Sequence, residues 1–263
     1  MNTRTLIVLC TLTAVPCVWF VAGKLHRFAY WIGRKTDSQV AALATNGWRI
    51  DRLVVAPDVT LVGLVRPPKD PSARWILFVP GNSETLLEGF RSVLDDLRGE
   101  ADVGMAFWAY RGFDASDGTP NPAALAADLL RQWRHLQSLG ATAERTEIWG
   151  YSLGSILAVQ LAAAVANAGE SPRRLVLLAV GEQIRIMRHG GLGRFLPGDV
   201  YDLTAALPHV NCPVVIAHGS LDDALPIDGA RAIAARLGTR ASLHELTGKG
   251  HIDLWSEVRR VAF

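Results

Sequence analysis

The sequence predicts an α/β protein in which a mostly parallel central sheet is flanked by helices. Short, continuously apolar runs, such as residues 75–79 and 174–180, are typical of strands that are buried on both faces. These runs alternate with longer helical stretches such as residues 122–139, and the alternation favours parallel strands joined by right-handed crossovers. The length of 263 residues suits one large domain rather than two.

The expected elements follow one another in a regular order. Residues 36–48 are predicted to form a short helix or linker, and residues 52–56 and 58–65 a pair of opening strands. The remaining strands are expected at 75–79, 103–109, 146–149, 174–180, 213–217 and 241–246, and the helices at 84–98, 122–139, 155–168, 227–237 and 252–261. Residues 182–208 are rich in glycine and interrupt this rhythm, so we expect a short cap there.

The N-terminal region has the composition of a membrane anchor. Residues 5–23 carry no charged side chain and are about as long as a bilayer-spanning helix, and a cluster of basic residues follows them. We therefore expect a single-pass transmembrane helix with its basic flank at 1–35 and the α/β domain at 36–263. A signal peptide cleaved near residues 21–23 is the alternative, and it would make the domain secreted or periplasmic. The side of the membrane that holds the domain stays open.

A serine between two glycines lies where a predicted strand meets a predicted helix. The motif is Gly150-Tyr151-Ser152-Leu153-Gly154, with the strand before it and the Ala-rich helix after it. Such a nucleophile elbow lifts the serine hydroxyl off the sheet edge in a strained turn, and the glycines let strand and helix pass closely. The N-terminus of the following helix favours developing negative charge. Ser152 is therefore a candidate nucleophile.

A serine nucleophile needs a base and an acid that orients the base, and both follow in the sequence. Asp222 and its neighbour Asp223 follow the strand at 213–217, and His251 follows the strand at 241–246. The carboxyl ends of parallel strands meet at one edge of a sheet, where reactive groups gather. We therefore expect a carboxylate and an imidazole to meet Ser152 at that edge.

Composition argues against several other classes of protein. The formal net charge is +2, and the sequence shows no Lys/Arg tract with interleaved aromatic residues, so no nucleic-acid partner is expected. The three cysteines have neither disulfide nor zinc spacing, and Cys212 is expected to be a buried core residue. The histidines show no metal-ligand spacing. We therefore expect neither a metal nor a cofactor.

These motifs together resemble the α/β-hydrolases, in particular the small-capped serine hydrolases that carry an N-terminal membrane anchor. The resemblance extends from about Leu53 to the C-terminus. It depends on Pro80-Gly81-Asn82, Tyr110-Arg111-Gly112-Phe113, the elbow, His218-Gly219 with Asp222 and Leu225-Pro226, and Gly248-Lys249-Gly250-His251. Five such elements in the family's order are far more specific than any one alone.

The resemblance implies a role for each of five residues. Ser152 would be the nucleophile, His251 the general base and then acid, and Asp222 the orienting carboxylate. The backbone N–H groups of Asn82 and Leu153 would form the oxyanion hole. Asp222 is preferred to its neighbour because it falls on the aspartate of the family's His-Gly-x-x-Asp-x-x-Val-Pro pattern, although leucine replaces the valine here.

One departure concerns Pro80, which stands where the family usually has histidine. The oxyanion donors are backbone groups further along, so we expect the oxyanion hole to survive. The expected activity is hydrolysis of a carboxylic ester or thioester, of a small molecule or a lipid, through an acyl-enzyme. The alternatives are a peptidase or amidase that uses the same triad, and an inactive membrane-bound interaction module. The sequence leaves protein partners open.

Three smaller expectations concern residues near these motifs. Arg111 is expected to pair with a neighbouring carboxylate in a structural turn. Asp128 is expected at a solvated position on the helix at 122–139. Trp149, which precedes the elbow, is expected to pack in the core rather than stack on a substrate.

Overall fold

The computed structural model describes residues 27–30, 32–83, 86–99, 101–187 and 198–262. The transmembrane helix predicted at 5–23 lies outside these residues, and so does the 188–197 part of the predicted cap. Within the described ranges, no helix has both the length and the apolar character that crossing a membrane requires.

The strands and helices alternate along the chain much as the sequence predicts. The strands are β1 (Arg27–Ala29), β2 (Arg49–Ala56), β3 (Val59–Arg66), β4 (Trp75–Val79), β5 (Gly104–Trp108), β6 (Thr146–Tyr151), β7 (Arg174–Leu178), β8 (Gln183–Met187), β9 (Asp199–Asp202), β10 (Val214–Gly219) and β11 (Ala241–Leu246). The helices are α1 (Asp37–Ala41), α2 (Leu86–Arg98), α3 (Pro122–Ser138), α4 (Leu153–Asn167), α5 (Ile227–Leu237) and α6 (Trp255–Ala262).

The main sheet has eight strands among the described residues, in the order β11-β10-β7-β6-β4-β5-β3-β2. Strands β4, β5, β6, β7, β10 and β11 run parallel to their neighbours in this series, whereas β3 is antiparallel to both β5 and β2. Helix α4 packs on β6 and β7, and α5 packs on β10 and β11. The predicted α/β class with a mostly parallel central sheet is confirmed.

The core lies at the central strands, which explains their continuously apolar sequences. Every residue of β4, β5 and β6 is buried. Trp149 is fully buried on β6, as predicted, and Cys212 is a buried free cysteine just before β10, also as predicted. A strand that is covered by helices on both faces has no solvated side, so its sequence loses the alternation of apolar and polar residues.

The expectation for Asp128 is wrong, because this side chain is buried and only 1% exposed. It accepts two hydrogen bonds from Arg111, at 2.7 Å from Nε and 2.6 Å from Nη2. The guanidinium compensates the buried charge with a bidentate pair, which the helix sequence alone does not reveal. The expected pairing of Arg111 with a neighbouring carboxylate is confirmed.

The described part of the region predicted as a cap contains regular structure that the sequence interpretation did not anticipate. Strand β8 pairs in parallel with β1 and antiparallel with β9, which gives a small three-stranded sheet among the described residues. Residues 183–186 alternate polar and apolar side chains, and Ile184 and Ile186 are the buried ones. That alternation is the signal of a half-buried strand. Strand β1 comes from the residues assigned to the basic flank of the anchor.

Candidate active site

Ser152 occupies a sharp turn between β6 and α4. Its φ is +53° and its ψ is −118°, a conformation that costs a residue with a Cβ about 1–3 kcal/mol. A Cβ on Gly154 would lie 2.0 Å from the carbonyl oxygen of Val79, and one on Gly150 would lie 2.4 Å from that of Gly154. Both glycines are therefore required where the helix crosses the neighbouring strands, and they hold the serine in its strained position.

The structure brings Ser152, His251 and Asp222 together at the carboxyl edge of the sheet. Ser152 Oγ lies 3.0 Å from His251 Nε2, and His251 Nδ1 lies 2.7 Å from Asp222 Oδ2. The carboxylate can only accept, so Nδ1 carries a proton and Nε2 is left to accept the serine proton. Asp223, the neighbouring candidate, has an exposed side chain and does not make this contact.

Asp222 has a side chain with no exposure to solvent and a full set of hydrogen-bond donors. Its Oδ1 accepts from the backbone N–H groups of Ala224 (3.0 Å) and Leu225 (2.8 Å). Its Oδ2 faces His251 and, at 3.3 Å, His218 Nε2. Burial raises the pKa of Asp222, but the hydrogen bonds from His218, His251 and Leu225 outweigh it and hold the pKa well below its usual range. The carboxylate is therefore ionised beside the imidazole.

The loops that carry Asp222 and His251 are joined to each other. The backbone N–H of Leu221 donates to the carbonyl oxygen of Lys249 at 2.8 Å. A Cβ on Gly219 would lie 2.4 Å from that same oxygen, so this close approach requires glycine. The Asp222 and His251 loops thus form one unit at the ends of β10 and β11.

Tyr151, inside the elbow, contacts His251 in a way that the sequence interpretation missed. Its hydroxyl donates to the backbone carbonyl of His251 at 3.0 Å, and the two rings lie 5.4 Å apart. Burial and the nearby Asp222 raise the pKa of Tyr151 well above its usual value, so the hydroxyl keeps its proton. The pattern of an elbow motif treats this position as variable and therefore gives no signal of the contact.

The two residues predicted to supply the oxyanion hole lie beside Ser152. Asn82 follows β4 and Leu153 is the first residue of α4, and both line the same pocket as Ser152 and His251. The carbonyl of Pro80 accepts a hydrogen bond of 2.5 Å from the buried Tyr110 hydroxyl, which fixes the loop that leads to Asn82. Proline at position 80 is thus compatible with an ordered loop here.

An apolar pocket of about 430 Å³ opens beside the serine. Its lining residues come from β6, β8, α2, α4, α6 and the loops after β4, β10 and β11. They are Asn82, Ser83, Gly89, Phe90, Val93, Tyr151, Ser152, Leu153, Ile184, Ile186, Asp223, Ala224, His251, Ile252 and Trp255. The volume is in the range of small-molecule sites, and apolar side chains form most of the wall. The pocket can therefore hold an apolar group next to the reactive hydroxyl.

A metal ion bound by the described part of the chain would need several side chains that can coordinate it. No group of three or more His, Cys, Asp or Glu side chains there is arranged to hold a metal ion. The chemistry of the site is that of an alcohol, an imidazole and a carboxylate, which together perform acyl transfer in unrelated folds.

Comparison with known proteins finds similar chains among the α/β-hydrolase domain proteins. No family model matches the chain. It is 28% identical over 170 residues to the lysophosphatidylserine lipase ABHD12 of Danio rerio. That match covers 57% of this chain and 44% of that protein. It is 26% identical over 189 residues to the alpha/beta hydrolase domain-containing protein 17B of Homo sapiens, which covers 70% of this chain and 62% of that protein. The chain thus spans about half the length of the curated relatives it matches.

Solved structures share the architecture at low sequence identity. Est1E from Butyrivibrio proteoclasticus superposes with a TM-score of 0.60 at 13% identity, covering 80% of this chain and 94% of that one. The mouse alpha/beta hydrolase domain-containing protein 10 superposes with a TM-score of 0.59 at 16% identity, and the match covers 81% of this chain and 96% of that one. The chain has the α/β-hydrolase fold. Its curated relatives are α/β-hydrolase domain proteins, so the predicted resemblance to the α/β-hydrolases is confirmed. The narrower resemblance to small-capped, membrane-anchored serine hydrolases stays a prediction.

Proposed function

We propose that this protein is a serine hydrolase that cleaves carboxylic ester or thioester bonds through an acyl-enzyme. The observation that carries the proposal is the unbroken chain of contacts from Ser152 Oγ to His251 Nε2 (3.0 Å) and from His251 Nδ1 to Asp222 Oδ2 (2.7 Å). An ordinary surface serine lacks a base within hydrogen-bond reach. A serine that faces an oriented imidazole has the arrangement of an activated nucleophile.

The proposed reaction assigns each group one task. Ser152 Oγ attacks the carbonyl carbon while its proton passes to His251 Nε2, and Asp222 stabilises the imidazolium that forms. The oxyanion receives hydrogen bonds from the backbone N–H groups of Asn82 and Leu153, and one such donor is worth about 2.7–4 kcal/mol in serine hydrolases. The leaving alcohol or thiol takes the proton from His251. Water then attacks the acyl-enzyme by the same steps in reverse and releases the acid.

The pocket favours an acyl group as the part of the substrate that the protein buries. Its wall is apolar and includes the rings of Phe90 and Trp255 and the cap residues Ile184 and Ile186. One curated relative is named a lysophosphatidylserine lipase, and one structural neighbour is an esterase from an Arctic intertidal metagenomic library. These similarities support small-molecule or lipid esters as the substrate class of this protein.

The arrangement of the whole chain is part of the proposal. The N-terminal anchor at 1–35, the hydrolase domain at 36–263 and the cap at about 182–208 would hold the pocket near a bilayer. The support is the uncharged run at 5–23 and the basic residues that follow it. A protease-protection assay on membrane vesicles tests the anchor and shows which side carries the domain.

Labelling with a fluorophosphonate probe tests the hydrolase proposal directly. We expect the full chain to be labelled and Ser152→Ala to be silent. Ser256→Ala, which changes an exposed serine on α6, is the matched control and should label like the wild type. An unlabelled wild type, or equal labelling of Ser152→Ala, would refute the proposal and favour an inactive interaction module.

Matched ester, thioester and amide substrates with acyl chains of increasing length then define the reaction. Faster turnover of the amide than of the ester would indicate a peptidase or amidase instead. A loss of turnover once the chain exceeds the pocket would support the acyl assignment.

A further inference from the structure

A second histidine, His218, lies against the proposed catalytic carboxylate. It is the penultimate residue of β10, and its side chain has no exposure to solvent. Its Nε2 lies 2.8 Å from the carbonyl oxygen of Leu225 and 3.3 Å from Asp222 Oδ2. Asp222 and Leu225 both belong to the loop that follows β10. One buried imidazole therefore contacts this loop at two points.

These contacts determine where the proton of His218 sits. The carbonyl oxygen of Leu225 only accepts hydrogen bonds, so Nε2 must be the protonated nitrogen. Nδ1 is buried and has no hydrogen-bond partner among the described residues. A second proton on Nδ1 would create a buried donor without an acceptor, which is unfavourable. The charged groups that face the ring are Asp222 and, as the register partner on β11, Glu245. We conclude that His218 is a neutral imidazole that donates from Nε2.

The contacts of His218 close a ring around the loop. Leu225 donates its N–H to Asp222 Oδ1 at 2.8 Å and accepts from His218 with its carbonyl. The same N–H of His218 also faces Asp222 Oδ2 at 3.3 Å. The carboxylate therefore has four donors, from Ala224, Leu225, His251 and His218. A carboxylate has about four lone-pair positions, so this set leaves none vacant and fixes the plane of the group.

We propose that His218 is a positioning residue that holds the carboxylate of Asp222 in the orientation that receives the Nδ1 proton of His251. This proposal rests on the proposed hydrolase function. His218 lines no part of the pocket and does not contact the serine, so it acts through Asp222 and the loop that carries Asp222 and Leu225. Because its donor is neutral, the single positive charge formed next to the carboxylate during turnover is that of His251.

Two substitutions in the full chain separate the donor from the volume of the ring. His218→Gln keeps an N–H near the place of Nε2, whereas His218→Met fills a similar space without a donor. With p-nitrophenyl butyrate as the probe, we expect His218→Met to lower kcat about 10- to 100-fold. KM should stay within about twofold, since the pocket is unchanged, and His218→Gln should recover most of the lost kcat.

The pH dependence of kcat is a second test, because a purely structural role of His218 would leave it unchanged. The hydrogen bond from His218 helps to keep the pKa of Asp222 low. Without it the carboxylate offers more of its charge to His251, so the acid limb of kcat should move to higher pH in His218→Met. Equal kcat and an unchanged pH profile in His218→Met, or a loss in His218→Gln as large as in His218→Met, would overturn the proposal.

A third measurement covers the case in which His218→Met does not fold. Nitrogen NMR of the wild type should show His218 as the Nε2–H tautomer near neutral pH, and an Nδ1–H tautomer or a doubly protonated ring would contradict the assignment. The two proposals fail differently. Failure of the hydrolase function is a wild type without ester turnover or probe labelling, whereas failure of the His218 role leaves wild-type turnover intact.

Discussion

Two carboxylates are fully buried at opposite edges of the parallel sheet, and their partners differ in kind. Glu147 lies at the start of β6, and Asp222 follows the end of β10. Both side chains have no exposure to solvent. Around Glu147 stand three arginines and an indole: Arg74 Nη1 at 3.0 Å, Arg173 Nε at 3.5 Å, Arg174 Nε at 2.8 Å and Trp149 Nε1 at 2.8 Å. Around Asp222 stand two backbone N–H groups and two imidazoles.

The difference separates a structural carboxylate from one that is suited to catalysis. Guanidinium groups are permanently charged, so the charge at Glu147 is already compensated by the fold. The donors at Asp222 carry no fixed charge, which leaves the carboxylate able to stabilise a positive charge that appears on His251 and then leaves. Both carboxylates are hydrogen-bonded, and only the one with neutral donors can respond to a proton transfer.

The largest expected effect comes from removing the charge at Asp222. Asp222→Asn should lower kcat about 10⁴-fold, because an amide can donate to Nδ1 and so favours the wrong tautomer of His251. Asp223→Asn is the matched control, since this neighbour is exposed at the pocket rim, and it should change kcat less than about threefold. Steady-state kinetics on an ester substrate measure both. A comparable loss in the two variants would mean that Asp222 has no special role.

The same change at the opposite edge of the sheet should affect stability instead. Glu147→Gln leaves three guanidinium groups without their carboxylate, and breaking a buried ion pair costs about 3–5 kcal/mol. We expect the melting temperature to fall by about 6–20 °C, while kcat of the folded protein stays within about twofold of wild type. Glu144→Gln is the control, because this exposed residue lies two positions before β6 begins. It should change neither the melting temperature nor kcat. A folded Glu147→Gln variant as inactive as Asp222→Asn would erase the distinction.

The comparison can be sharpened by pH. The pKa of Asp222 is depressed in the folded state, so the stability it contributes is present above the unfolded value of about 3.9 and is lost as the pH falls below it. Urea unfolding of the wild type should therefore show a decline in the free energy of unfolding on acidification. The part due to this group is on the order of 2 kcal/mol. Asp222→Asn should flatten that decline, and an unchanged slope would contradict the assignment.

The sequence predicted those parts of the site that local patterns specify. The elbow glycines are required by contacts with residues next to them in the fold, and Asp222 and His251 each follow an apolar strand by a short loop. Parallel strands then bring these loops to one edge, as the topology requires. The alternation of polar and apolar residues at 183–186 also predicts a strand where β8 lies.

The remaining features depend on partners far apart in the chain. The helix sequence predicts a solvated position for Asp128, because it does not show that Arg111 lies beside this side chain and pairs with it. The ring that joins His218 to Leu225 and Asp222 involves a strand residue whose sequence motif gives no hint of the direction of its side chain. Hydrogen-bond geometry of this kind follows from packing, and no pattern of residue types specifies it.

The smallest expected effect concerns the support of His251 from within the elbow. Tyr151→Phe removes only the hydroxyl that donates to the backbone carbonyl of His251 and keeps the ring beside Trp255 and Phe90. A neutral hydrogen bond contributes about 1 kcal/mol, so kcat should fall about three- to tenfold. KM for a short ester should change little, since the pocket wall is retained. A melting temperature that falls while kcat stays at the wild-type value would show that the hydroxyl supports the fold alone. A hydroxyl that also holds His251 in place must lower kcat when it is removed.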